Sequence, residues 1–284
     1  MKTLESALVA TDFSAEAASA MRRAESIGSE VGLRGALAHV VPDSLPPAMH
    51  VQAASLAQQT LALAADEMNR AGLRFEQRLL SGDVAGELAR AAAGFDLVVA
   101  GARGEGMLLD FSLGRTSVRL VRQSPRPILI VKRPPDGPYR RVLVGVDFSA
   151  PSRLAAALGG QIAPSADFEL VHVFRVDLEP TLRRIGLGED KLEAYRLAAH
   201  DKATAAVTQF AGELKLPGAR MRSTIVRGYP PRVLLERAAQ GRAQLIVMGK
   251  RAAGIVERSL VGSVALKVLE MSECDVLIVP ERIA

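Results

Sequence analysis

The stretch VVAGARGEGMLLDFSLGRTSVRL, residues 98–120, sets an apolar run against a loop with glycines at 101, 104, 106 and 114, and follows the last of them with Arg115, Thr116 and Ser117. Residues of these types suit the holding of an anion. Glycine lets the backbone come close, the opening turn of a helix offers N–H groups without intrahelical partners, and the helix dipole favours negative charge there. Phosphate is the anion that fits. The spacing is neither the G-x-x-x-x-G-K-[ST] phosphate loop nor the G-x-G-x-x-G dinucleotide turn. Arg115 has two readings: a guanidinium that makes charge-assisted bonds to phosphate, or a side chain turned to solvent or paired with Asp110.

Other reactive groups are sparse. His39 and His172 occupy matching positions near strand ends, where a histidine is more often a satisfied structural residue than a base, and His50 and His200 have no companions at metal-ligand spacing. Asp12 and Asp147 could help hold Mg2+ but are better explained by recognition of a ligand hydroxyl. The chain has no G-x-S-x-G elbow, no H-E-x-x-H and no paired catalytic carboxylates in a recognisable frame. A turnover enzyme is therefore not expected.

The elements that position these residues come in duplicate. ALVATDFSAEA at 7–17 recurs as VLVGVDFSAPS at 142–152, LAHVV as LVHVF, DLVVAGARG as QLIVMGKRA, and FSLGRTSVRLVRQSPRPILIV as RSLVGSVALKVLEMSECDVLIV, in the same order. The offset grows from 135 residues between Asp12 and Asp147 to 148 between Gly114 and Gly262, which places an insertion near 175–220. The expected division is a first domain over 1–133, a Pro/Gly linker over 134–139 and a second domain over 140–284.

In the first half, 4–11, 35–41, 74–80, 96–100 and 127–132 read as strands, and 14–31, 51–71, 83–93 and 113–123 as helices. Strands such as PILIV and DLVVA lack alternation, as strands covered on both faces do. The fold class is α/β, two Rossmann-like doubly wound domains. Ligands of such sheets bind at the carboxyl ends of the strands, at the switch point, where Asp12, the end of LAHVV and the glycine loop all fall. A long helix over 188–215 in the second half reads as core packing. The final strands PILIVK and DVLIVP would be open apolar edges unless they cover each other, so 127–132 is expected to contact 275–280 in an internal pseudo-dimer; the sequence does not fix whether whole chains pair further.

Composition narrows the class. At 284 residues, 49% hydrophobic and 24% charged, the chain is long enough for two cored domains. It has no apolar run of the ~18–20 residues a membrane span needs, and its first residues do not resemble a signal peptide, so a cytoplasmic setting is expected. The net charge of +5 comes from arginines interleaved with acids. The densest basic region, Arg119 to Arg141, has only Tyr139 as an aromatic, which disfavours nucleic acid. The single Cys274 permits no internal disulfide and reads as a small buried residue.

G-x-x-G-x9-G followed by a hydroxyl residue, with an opening V-x-x-D-F-S strand and an HV strand end, resembles the universal stress protein family in its tandem form, over essentially the whole chain. The resemblance implies a five-stranded parallel sheet in each domain, ATP as ligand with Mg2+ as a potential companion, and a role as a nucleotide-linked stress or signalling module with a protein partner. The alternatives are a degenerate interaction scaffold without nucleotide and a slow ATPase. It further implies that the aspartate meets the adenosine end, the backbone after the histidine meets the adenine and the glycine loop wraps the phosphates. In this chain the first site would be Asp12, Val40, Gly101, Gly104, Gly114, Arg115, Thr116 and Ser117; the second would be Asp147, Val173, Gly249, Gly262 and Ser263. Two departures rank them. Arg115 stands where the family usually has Ser or Thr, and Ala252 replaces the second glycine of the second loop, so the first site is expected to bind more tightly.

Overall fold

The computed structural model describes residues 3–104, 114–176, 178–214, 220–250 and 261–281. Gly106, Asp110 and Ala252 lie outside the described residues, and so does the expectation that rests on each.

The first half runs β1 (Ser6–Ala10), α1 (Ala15–Val31), β2 (Arg34–Val41), α2 (Pro47–Arg70), β3 (Arg74–Ser81), α3 (Val84–Ala92), β4 (Leu97–Gly101), α4 (Arg115–Gln123) and β5 (Ile128–Val131). The second runs β6 (Arg141–Val146), α5 (Ala150–Ile162), β7 (Asp167–Phe174), α6 (Glu179–Arg184), α7 (Glu189–Glu213), β8 (Arg220–Arg227), α8 (Pro230–Gln240), β9 (Leu245–Gly249), α9 (Ser263–Met271) and β10 (Asp275–Val279). Helix α2 starts four residues before the expected 51, because Pro47 occupies its first turn, where a missing N–H costs nothing. The insertion of the second half contains α6, a short helix with no counterpart among the described residues of the first half.

The strands form one sheet in the order β3-β2-β1-β4-β5-β10-β9-β6-β7-β8. Pairing is parallel within each half and antiparallel between β5 and β10, where Val276, Leu277 and Ile278 face Ile130, Leu129 and Ile128. Leu129 and Leu277 are equivalent at the 148-residue offset and pair with each other, so a local twofold passes through this pair. The expected contact of the two final strands is thus present. Successive residues of the buried strands feed two apolar layers: Leu97, Val99 and Leu129 enter one, and Val98, Ala100 and Ile130 the other. This is why those strands carry no polar alternation.

Polar anchors fix the outer edge of the second half. Glu169 in β7 is buried and accepts from Arg222 at 2.7 Å, Thr224 at 2.8 Å and Arg237 Nε at 3.0 Å. Burial pushes its carboxyl up, but the bonds from Arg237, Arg222 and Thr224 outweigh that and hold it below the ordinary carboxylate value. A depressed folded value means that the stabilisation is present above the unfolded value and is lost as pH falls through the folded one. Glu169→Gln should therefore flatten the fall in urea midpoint between about pH 6 and pH 3; an unchanged slope would show that this carboxylate does not drive acid unfolding.

Candidate functional site

Both halves open with the same turn. Strand β1 ends at Ala10, Asp12 Oδ1 accepts from the Ser14 amide at 3.1 Å and its hydroxyl at 2.6 Å, and Ser14 Oγ caps α1 by accepting from the Ala17 amide. In the second half, Asp147 Oδ1 accepts from the Ser149 amide at 3.0 Å and hydroxyl at 2.5 Å, and Ser149 caps α5. Between aspartate and serine stands a phenylalanine in the left-handed region, Phe13 at φ 68° and Phe148 at φ 63°. Non-glycine residues rarely sit there and do so at a cost of order 1 kcal/mol. What holds them is a ring. Phe13 stacks on His39 with centroids 4.5 Å apart, and Phe148 packs on His172 at 4.4 Å. Each imidazole Nδ1 donates to a strand-end carbonyl, His39 to Thr11 at 2.9 Å and His172 to Val146 at 2.8 Å. The structural reading of both histidines holds. The two phenylalanines were not singled out from the sequence, although the duplicated DFS and HV motifs carried the signal.

The glycines divide by role. A Cβ on Gly101 would lie 3.0 Å from the Glu16 backbone, and one on Gly249 would lie 2.8 Å from Pro151 Cβ. These two glycines let the start of α1 or α5 pack on a strand end, which the phosphate reading had not foreseen. A Cβ on Gly104 would lie 2.5 Å from Asp12 Oδ2, which places this glycine beside the aspartate carboxylate. Gly114 and Gly262 close their loops: their amides donate to Ala102 O at 2.9 Å and Lys250 O at 2.8 Å. Each is the N-cap of the following helix and brings no side-chain bond to it, unlike Ser14, Asp83 and Ser149 at the starts of α1, α3 and α5. The opening amides of α4 and α9 thus receive no bond from their N-cap residues, which is the arrangement that receives an anion.

The hydroxyls behave differently from one another. Ser117 is buried and its Oγ donates to Gly101 O at 3.0 Å, tying α4 to the end of β4. It therefore positions the loop. Arg115 and Thr116 are exposed in the first turn of α4, and Ser263 is exposed in that of α9. Val40 is buried near the end of β2.

All five residues expected at the second site, Asp147, Val173, Gly249, Gly262 and Ser263, line one cavity of about 170 Å3. Its inner wall is apolar, with Val171, Pro230, Leu234, Met248 and Ala265. Gly145 and Ala265 help open it, at positions where the first half carries Ala10 and Ser117. An apolar cavity of ~150 Å3 takes one benzene ring, so this one has room for a flat heterocycle, with the α9 amides at its rim. The cavity gives the second half a claim that the ranking by loop glycines did not include.

Compared with known proteins, residues 4–132 and 138–280 each match the Universal stress protein family. A universal stress protein of Mycobacterium tuberculosis is 28% identical over 188 residues, which are 64% of this chain and 61% of that relative. One from Methanocaldococcus jannaschii is 30% identical over 142 residues, half of this chain and 82% of the relative. The crystal structure of a universal stress protein from Archaeoglobus fulgidus matches 98% of both chains with a TM-score of 0.72 at 20% identity, which shows a shared fold.

Proposed function

The chain belongs to the universal stress protein family, with one family domain in each half, and on that premise we propose that it binds an adenine nucleotide, ATP, as a nucleotide-linked module of a cytoplasmic stress response. The observation that carries this reading is the joining of an apolar slot for a ring with a helix start that has no side-chain cap, flanked by Asp147. The base would enter between Val171, Leu234 and Met248. The ribose would reach Asp147, and the phosphates would run out over the amides that open α9. The first half repeats the aspartate turn and the uncapped helix start, and adds the Arg115 guanidinium.

Among the described residues no group of three His, Cys, Asp or Glu stands ready for a metal ion, so Mg2+ would arrive with the phosphates it already holds. Signalling would proceed by population shift: the arrangement of the halves that binds ATP better gains weight and changes the surface a protein partner meets. No helix of the described residues is long and apolar enough to cross a membrane.

Calorimetric titration of the full chain with ATP tests this, with nucleotide released from gently purified protein identified by mass. We expect a dissociation constant in the micromolar range, about 8 kcal/mol. Absence of heat with ATP, ADP and AMP at millimolar concentration, with no nucleotide released, would reject it in favour of a scaffold.

A further inference from the structure

Lys250 follows the last residue of β9 and holds the base of the second glycine loop through its backbone: its amide donates to Val279 O at 2.6 Å and its carbonyl accepts from Gly262 at 2.8 Å. The first half makes the same two bonds at Ala102, to Val131 O and from Gly114, each at 2.9 Å. The side chains differ. Ala102 ends at its methyl, whereas Lys250, 5% exposed, crosses into the other half and donates from Nζ to Arg122 O at 2.7 Å and Ser124 O at 3.3 Å. Those carbonyls close the carboxyl end of α4, where a helix leaves acceptors without partners and where a cation is favoured.

The other end of α4 is where the first loop closes, pinned by Gly114 N–H to Ala102 O and by Ser117 Oγ to Gly101 O. One side chain therefore joins the base of the second loop to the helix that follows the first. The geometry points to Lys250 as a positioning residue for both sites, the strut through which a change at the second loop base shifts α4 and hence the anion-facing amides of the first. The link is one-way in construction, because the first half has an alanine at the equivalent position, yet any coupling it carries is reciprocal in free energy. That nucleotide uses this strut rests on the nucleotide reading; the strut itself does not.

The decisive comparison is hydrogen exchange of the ligand-free full chain and its Lys250→Met variant, in which an unbranched side chain of similar length keeps the space filled. Loss of a charge-assisted bond to a helix end should speed exchange in 116–124 by at least about tenfold, and a strut predicts a parallel rise at 263–266. Faster exchange in 116–124 alone would reduce Lys250 to a helix cap and overturn the inference, as would no change in either segment. A second arm adds ATP to the Asp12→Ala chain. Protection at 263–266 accompanied by protection at 116–124, with only the latter lost in the Lys250→Met background, is expected; remote protection that survives the substitution would overturn the inference. If ATP protects neither segment, the nucleotide reading fails while the ligand-free comparison still decides on the strut.

Discussion

Asp275→Ala is expected to destabilise the chain by about 3–5 kcal/mol and to separate the unfolding of the two halves, read as a lower first urea midpoint and a second transition. Asp275 opens β10 at 2% exposure and gathers partners from across the halves. Arg23 Nε on α1 lies 3.2 Å away, the Lys132 amide after β5 donates at 2.8 Å, and the Tyr139 hydroxyl donates at 2.5 Å. Arg23 in turn lies 3.9 Å over the Tyr139 ring and donates to Gly137 O at 2.7 Å. Truncating the carboxylate deprives a guanidinium that is itself 4% exposed of this ion-pair partner, and leaves a buried phenol and an amide short of an acceptor. Asp275→Asn keeps an acceptor oxygen and should lose less than the alanine variant. A single transition with an unchanged midpoint for Asp275→Ala would show that the lock contributes nothing measurable.

That lock has no mirror image. At the offsets of the repeat, Asp275 corresponds to Pro127 and Arg23 to Leu158. The strand pairing through Leu129 and Leu277 is symmetric and would suit two copies of either half, whereas the buried ion pair and the Lys250 bond each exist on one side of the axis. Polar groups that can be satisfied only by the other half specify which halves meet. The apolar strands pair symmetrically, and the asymmetric polar contacts supply the preference for a partner within the same chain.

The repeat, the parallel strands and the pairing of β5 with β10 were legible because each is written locally and twice: unbroken apolar runs, the DFS turn, and a final strand that would otherwise be an open edge. The anion-facing helix starts were legible for the same reason, since a glycine N-cap followed by a periodic helix is a short-range pattern. The glycine roles were not. Gly101 and Gly249 were read as making room for phosphate, but the atoms they avoid belong to Glu16 and Pro151, which the sequence does not place beside them. Ser117 was read as a ligand hydroxyl, but a carbonyl sixteen residues earlier takes its proton. Lys250 and Asp275 are not legible in the sequence because their partners lie more than 120 residues away, and a lone lysine or aspartate carries no periodic signal. Met248 and Leu234 belong to the apolar core and also line the cavity, and the space between them depends on how far α8 and α9 stand from the sheet.

At the site itself, Asp147→Ala should weaken ATP binding by the second half by about 10–100-fold, the value of one hydrogen bond to a charged group. The bonds described for this carboxylate all go to Oδ1, from the Ser149 amide and hydroxyl, while the residue lines the cavity. Oδ2 is thus the oxygen for a ligand hydroxyl. Because Oδ1 also builds the turn that caps α5, alanine removes two functions at once. Asp147→Asn separates them, since an amide oxygen can keep the turn while an amide nitrogen replaces the second acceptor. If Oδ2 meets the ribose, the asparagine variant should lose affinity for ATP and adenosine and keep its affinity for adenine, with an unchanged urea midpoint. An equal loss for adenine would mean that the turn, and not the hydroxyl, carries the effect. The parallel variant Asp12→Ala apportions binding between the halves: if the apolar slot decides affinity, Asp147 will matter more; if the phosphate contacts of Arg115 decide it, the larger loss will fall on Asp12→Ala and on ATP more than on adenosine.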